Sequence, residues 1–191
     1  MELLLIGLIG ALFLKGSLEK DKENEKVDFQ PKDTRSIFER IRFIPSPNFT
    51  VKENRKIDRI IIHITQGSMQ SAVSWFKMTR SKVSAHFLVS RAGEVVQMVK
   101  LQDVAWHAAP LNTRSIGVEH EGYYDYKGKT NNFTQEQYLT SAKLVKELAT
   151  RFNIPLDRVH IIGHREVKGV TKTCPGYNWD WDYYMELLRT I

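Results

Sequence analysis

Two apolar runs of this chain end on a histidine, and that pattern restricts the fold more than any other feature of the sequence. Arg59 to Ile64 holds Ile60-Ile61-Ile62 and is closed by His63. Val159 to Gly163 is a second run, followed at once by His164. Apolar β-branched runs this short predict strands buried on both faces of a sheet. Each histidine then sits at a strand end, where its side chain can face a cleft. The only cysteine, Cys174, lies downstream in the turn Lys172-Thr173-Cys174-Pro175-Gly176.

The segments between these runs supply the rest of a sheet and its cover. Ala72, Val73, Trp75 and Phe76 fall at helical spacing and predict a helix from Ser68 to Met78. Ala85 to Val89 and Glu94 to Val99 flank Ser90-Arg91-Ala92-Gly93, a strand, a glycine turn and a second strand. Ser115 to Glu121 predicts another strand, with Ile116 and Val118 on one face and Gly117, Glu119 and Glu121 on the other. Thr134 with Gln137 has the form of a capping box before a long helix reaching Phe152, and Pro155 follows its end. A last helix is expected from Trp181 to Arg189, with Asp180 as its cap. Strands alternating with helices around one hairpin predict a single α/β domain, a mixed sheet with helices on both faces. In sheets of this kind reactive groups gather beyond strand ends.

The domain so predicted occupies residues 46–191, entered through the turn-rich Pro45-Ser46-Pro47-Asn48. Before it, residues 15–45 read as a charged linker. Residues 1–14 form an apolar signal or anchor segment, in which residues 3–14 are shorter than the ~20 needed to span a bilayer. The expectation is an exported or membrane-anchored protein of the cell envelope or exterior. A chain of 191 residues with formal charge +6 suits one domain and a polyanionic partner such as an acidic wall polymer. No nucleic-acid motif accompanies that charge, so no nucleic-acid partner is expected. One cysteine excludes an internal disulfide. The chain is read as a monomer.

His63, His164 and Cys174 can together make a zinc site of three protein ligands with one position open, as a hydrolase needs. Glu119 is a candidate base near a third strand end, and Lys172 a candidate partner for an oxyanion. Each residue also has a plainer reading. A strand-end histidine often serves as a structural hydrogen-bonding group, and Glu119 and Lys172 as solvated charges.

Seven segments in order carry a family resemblance. They are Ile60–His63, Val83-Ser84-Ala85-His86-Phe87-Leu88-Val89, Arg91-Ala92-Gly93-Glu94-Val95-Val96-Gln97, Ala105-Trp106-His107-Ala108, Ser115–Glu119, Gly163–Glu166 and Lys172–Gly176. Together they resemble the type 2 family of zinc-dependent N-acetylmuramoyl-L-alanine amidases, which shares its fold with phage lysozyme-type amidases and peptidoglycan recognition proteins. The resemblance implies His63, His164 and Cys174 as ligands of Zn2+, Lys172 as the catalytic lysine and Glu119 as the base. The ligand cysteine matches the phage and recognition-protein branch, and the glutamate base matches the recycling amidases. Ala85 stands where the phage enzymes have a tyrosine, which leaves the base role to Glu119, ahead of Glu121 on the same face.

The implied function is hydrolysis of the amide between the lactyl group of N-acetylmuramic acid and L-alanine of peptidoglycan, by a zinc-activated water. Such a hydrolase would degrade cell wall as an autolysin or endolysin, on muramyl peptides held in an open groove. His107, in a loop that borders the groove in the family, is a candidate for substrate contact, with Asn112 and Arg114. His86 and His120 are expected to be structural. Two alternatives stand beside this reading: a peptidoglycan-binding module without catalysis, and a recycling amidase acting on soluble anhydro-muropeptides.

Overall fold

The computed structural model describes residues 36–123 and 133–191. The expected apolar segment 1–14 and residues 15–35 of the expected linker lie outside the described residues. The strands are β1 (Arg42–Phe43), β2 (Phe49–Thr50), β3 (Arg59–Ile64), β4 (Phe87–Val89), β5 (Val95–Gln97), β6 (Val104–Ala105), β7 (Ser115–His120) and β8 (Ile161–Gly163). The α-helices are α1 (Met69–Phe76), α2 (Gln135–Phe152) and α3 (Trp181–Thr190). Six strands form one mixed sheet in the order β1-β5-β4-β7-β3-β8, and β2 pairs with β6 in a separate antiparallel ribbon. The hairpin partners β4 and β5 are antiparallel, whereas β4, β7, β3 and β8 run parallel. The chain is thus a mixed α/β domain, as the alternation of its runs predicts.

β3 is central because it has nothing polar to expose before its end. Ile60, Ile61 and Ile62 are fully buried between β7 and β8. Ile60, Ile62, Phe87, Val89, Ile116 and Val118 join the apolar sides of α2 and α3 in the main core. The opposite face takes Leu88 against α1 through Ala72 and Phe76, and Ile61 against Ala108, Ile162 and Val167. Helices therefore cover both faces.

α2 starts where Thr134 Oγ1 accepts from the Gln137 amide, which satisfies one of the helix's unpaired donors. The reciprocal half of the expected capping box is replaced by a longer reach. Gln137 Nε2 donates to the carbonyls of Val89 and Glu121, tying the helix start to the ends of β4 and β7. Tyr138, Ala142, Val145, Leu148 and Ala149 then recur at helical spacing and are buried. Asn153 ends the helix in the left-handed region at φ 52°. α3 follows its Asp180 cap and buries Tyr184, Met185, Leu187 and Leu188. Among the described residues no helix is long and apolar enough to cross a membrane.

Two expected boundaries move. Residues 36–45, read as the end of the linker, belong to the fold. Ile37 is buried in a 3-10 turn, its amide and the Ser36 hydroxyl bind the Glu147 carboxylate of α2, and β1 adds a parallel edge to β5. The bonds of Ser36 and Ile37 to Glu147 join residues more than a hundred positions apart, which local composition does not encode. The run from Val159 becomes strand only at Ile161, because Asp157 first turns the chain by accepting from the Val159 and His160 amides.

Candidate metal centre and active site

Parallel register brings the key side chains together. His63 pairs with Glu119 across β3 and β7, and Ile62 pairs with Gly163 across β3 and β8. His164 is then one step beyond β8, beside the end of β3. The turn carrying Cys174 folds back over these ends: the Arg165 amide donates to the Cys174 carbonyl, and the Ile64 amide donates to Cys174 Sγ at 3.2 Å. One ligand atom each from His63, His164 and Cys174 lies within 4.8 Å of the others, and all three residues are buried. His63 Nδ1 is 3.7 Å from Cys174 Sγ, and the His63 and His164 rings are 4.5 Å apart. Two strand-end histidines and a cysteine on a turn therefore converge, with His63 and Cys174 separated by 111 positions in sequence.

The donor set suits a cation. Desolvation holds His63 well below its ordinary pKa and His164 at about 4, so both rings are neutral and can offer a lone pair. Burial, and then the nearby Glu119 charge, push the Cys174 thiol well above its usual range. A divalent ion reverses that cost by stabilising the thiolate. Glu119 stands beside the group, its Oε1 3.9 Å from His63 Nδ1. Burial raises its pKa to about 8, against the charge of Lys172, which lowers it. Its Oε2 is buried and has no hydrogen-bond partner among the described residues. A buried carboxylate with an orphaned oxygen, two neutral imidazoles and a thiol fit a metal ion better than they fit one another. Among the described residues His63, His164 and Cys174 are the group of side chains that could hold a metal ion.

A groove of about 410 Å³ opens on this point, lined in part by Trp106, His107, Asn112, His164, Val170 and Lys172. It is bounded by the loop from Trp106 to Leu111. That loop hangs from β6, with the Trp106 amide donating to Ser84 Oγ and its indole to Thr50 Oγ1.

The other site residues expected from sequence divide. Lys172 lines the groove, and its charge is felt at His63, His164, Cys174 and Glu119. Asn112 also lines it, but its Oδ1 is engaged by the amides of His107 and Ala108, which gives it a part in shaping the loop. Arg114 is not brought to the groove. It is held by Asp58 at the opposite end of the sheet, where Arg59 pairs with Ser115. Five residues of strand put that end roughly 16 Å from Glu119. Glu121 is occupied at the β4–β5 turn, where it accepts from the Arg91 amide. His86 and His120 are structural, as expected. His86 Nδ1 accepts from the Gly117 amide, while His120 bonds the His63 carbonyl and Ser141. His107 does more than border the groove: its Nδ1 lies 3.0 Å from His63 Nε2. Spacing gives no sign of that contact, which spans 44 positions. Arg55 was also missed. Its guanidinium donates to the carbonyls of Asp103 and Ser115 and pins the start of β7.

The chain is similar in sequence and in fold to known amidases. A family model described as N-acetylmuramoyl-L-alanine amidase matches residues 53–177. N-acetylmuramoyl-L-alanine amidase A of Achromobacter lyticus is 29% identical over 162 residues, 75% of this chain and 89% of that protein. The 1,6-anhydro-N-acetylmuramyl-L-alanine amidase AmpD of Haemophilus influenzae is 27% identical over 176 residues, 78% of this chain and 92% of its own. Among solved structures, an AmpD crystal structure superposes with TM-score 0.62 at 26% identity, over 78% of this chain and 94% of the other. The amidase LysC of Clostridium intestinale, at 20% identity and TM-score 0.63, shares the fold over 78% of this chain and 97% of its own.

Proposed function

The chain belongs to the N-acetylmuramoyl-L-alanine amidase family, and from that membership and its site we infer the reaction. It is a hydrolase that cuts the amide between the lactyl group of N-acetylmuramic acid and L-alanine in peptidoglycan. The observation that carries the mechanism is the convergence of His63, His164 and Cys174 ligand atoms within 4.8 Å, beside a buried carboxylate.

His63, His164 and Cys174 would hold Zn2+, the ion their mixed nitrogen and sulfur set favours. Zinc, when bound, supplies an acidified water and a Lewis acid for the scissile carbonyl. Glu119 is the base: it takes a proton from the attacking water and passes it to the leaving amine of L-alanine. Its raised pKa of about 8 matches that task, since a group that must gain and lose a proton works best near the ambient pH. A cation in the site and the Lys172 ammonium both favour its ionised form. Lys172 also faces the charge that grows on the carbonyl oxygen. The groove takes the muramyl peptide, with Trp106 and Val170 as apolar walls.

Cys174→Ala tests the ligand set. Release of peptides from purified sacculi is expected to vanish in this variant while the circular dichroism spectrum stays that of the parent. Unchanged release would refute the ligand set.

A second reading is favoured by the similarity to AmpD, a 1,6-anhydro-N-acetylmuramyl-L-alanine amidase. It gives this chain soluble anhydro-muropeptides as substrates. The apolar run at residues 3–14 supports the wall itself as the substrate and export or anchoring as the route there. Turnover compared on intact sacculi and on soluble fragments separates the two.

A further inference from the structure

The ring of His63 has two nitrogens, and they face different partners. Nδ1 lies 3.7 Å from Cys174 Sγ, and Nε2 lies 3.0 Å from Nδ1 of His107. A neutral imidazole carries one proton, so one nitrogen donates and the other offers a lone pair. A metal takes only the lone pair. Its neighbours decide which nitrogen of His63 is which.

The groups beyond His107 supply the answer. His107 Nε2 lies 3.3 Å from Ser115 Oγ. The Ser115 hydroxyl has one proton and donates it to the Leu111 carbonyl at 2.8 Å, an acceptor with none to return. Ser115 Oγ therefore accepts from His107. With its proton on Nε2, His107 presents Nδ1 as an acceptor. His63 must then donate from Nε2, which leaves its Nδ1 lone pair on the side of Cys174.

We propose that His107 and Ser115 form a proton-ordering relay, anchored on the Leu111 carbonyl, that fixes His63 in the tautomer whose Nδ1 can bind the metal. His107 is a positioning residue in this relay. The surroundings are built around it. A Cβ at Gly117 would lie 2.6 Å from His107 Nδ1, so a side chain at that position of β7 would displace the ring from His63. Arg55 holds the Ser115 carbonyl, and Asn112 Oδ1 holds the His107 amide. The relay therefore links the metal ligand to the start of its neighbouring strand and to the groove loop.

The inference rests on the zinc reading above, and two measurements on the full-length chain separate them. In metal-free protein, long-range 1H–15N spectra of the histidine rings should show His63 and His107 both protonated at Nε2. A His63 ring protonated at Nδ1 would overturn the relay. Zinc affinity, measured by chelator competition, should fall roughly 10–100-fold in His107→Leu. It should return most of the way in His107→Asn, whose Oδ1 can accept in place of Nδ1. A folded His107→Leu that binds zinc as tightly as the parent would also overturn it. Should His107→Leu fail to fold, the tautomer measurement on the parent decides. A parent chain that takes up no zinc defeats the underlying reading instead, and the spectra still judge the relay.

Discussion

Glu119 is the residue whose surroundings say most about the chemistry. It is buried and lies 3.9 Å from a candidate ligand, and one of its oxygens has no hydrogen-bond partner among the described residues. Glu119→Gln keeps its shape and removes its basicity. It should lower turnover of sacculi by roughly 10²–10⁴-fold while metal content stays that of the parent. Turnover within a few-fold of the parent would take the base role from Glu119. At this scale the sequence showed the donors better than their partners. His63, His164 and Glu119 could be read as strand-end residues because apolar runs stop at them. The fate of Arg114 could not, because its ion pair with Asp58 depends on two strand starts meeting in space. The bond from His107 to His63 is equally a product of tertiary placement.

At the scale of elements, burial on one face decides what holds the site in place. α2 covers the sheet through residues spaced three and four apart, among them the fully buried Leu148. Leu148→Ala should cost about 2–5 kcal/mol, read from the shift in urea midpoint at unchanged slope. A loss below 1 kcal/mol would mean that this face is loosely packed. The helix and β3, β4, β5 and β7 were legible because each carries a clear period or apolar run. β1 was not: both its residues are exposed, and it is a strand only because β5 offers an edge. The start of β8 was placed too early for a related reason. Val159 is apolar, yet 64% exposed, since the Asp157 turn holds it outside the sheet.

For the whole molecule, the buried histidines set the response to acid. Desolvation draws His86 to about 3 and His120 to about 4. Unfolded, both titrate near 6.5, so between about pH 6.5 and 4 the unfolded chain binds protons that the folded chain refuses. Stability present above pH 6.5 is therefore lost as pH falls, by about 3 kcal/mol for His120 alone. His63, His107 and His164 act in the same direction. Glu119 acts in the opposite sense in metal-free protein: its raised pKa gives stability at low pH that is lost as pH rises through about 8. Five rings outweigh one carboxylate. The urea midpoint of metal-free protein should fall clearly between pH 7 and pH 4.5, and an unchanged midpoint would mean that the rings are not buried in neutral form. The strand order that gathers those rings, with β7 and β8 flanking β3, is a long-range property that periodicity does not encode. It is also what brings the ligands of the candidate metal centre together from positions so distant in sequence. Metal analysis of the purified full-length chain, paired with sacculus digestion before and after chelation, tests that centre most directly. About one zinc per chain is expected, with release of peptides lost on chelation and restored by added zinc. Metal-free protein that still releases peptides at the full rate would contradict it.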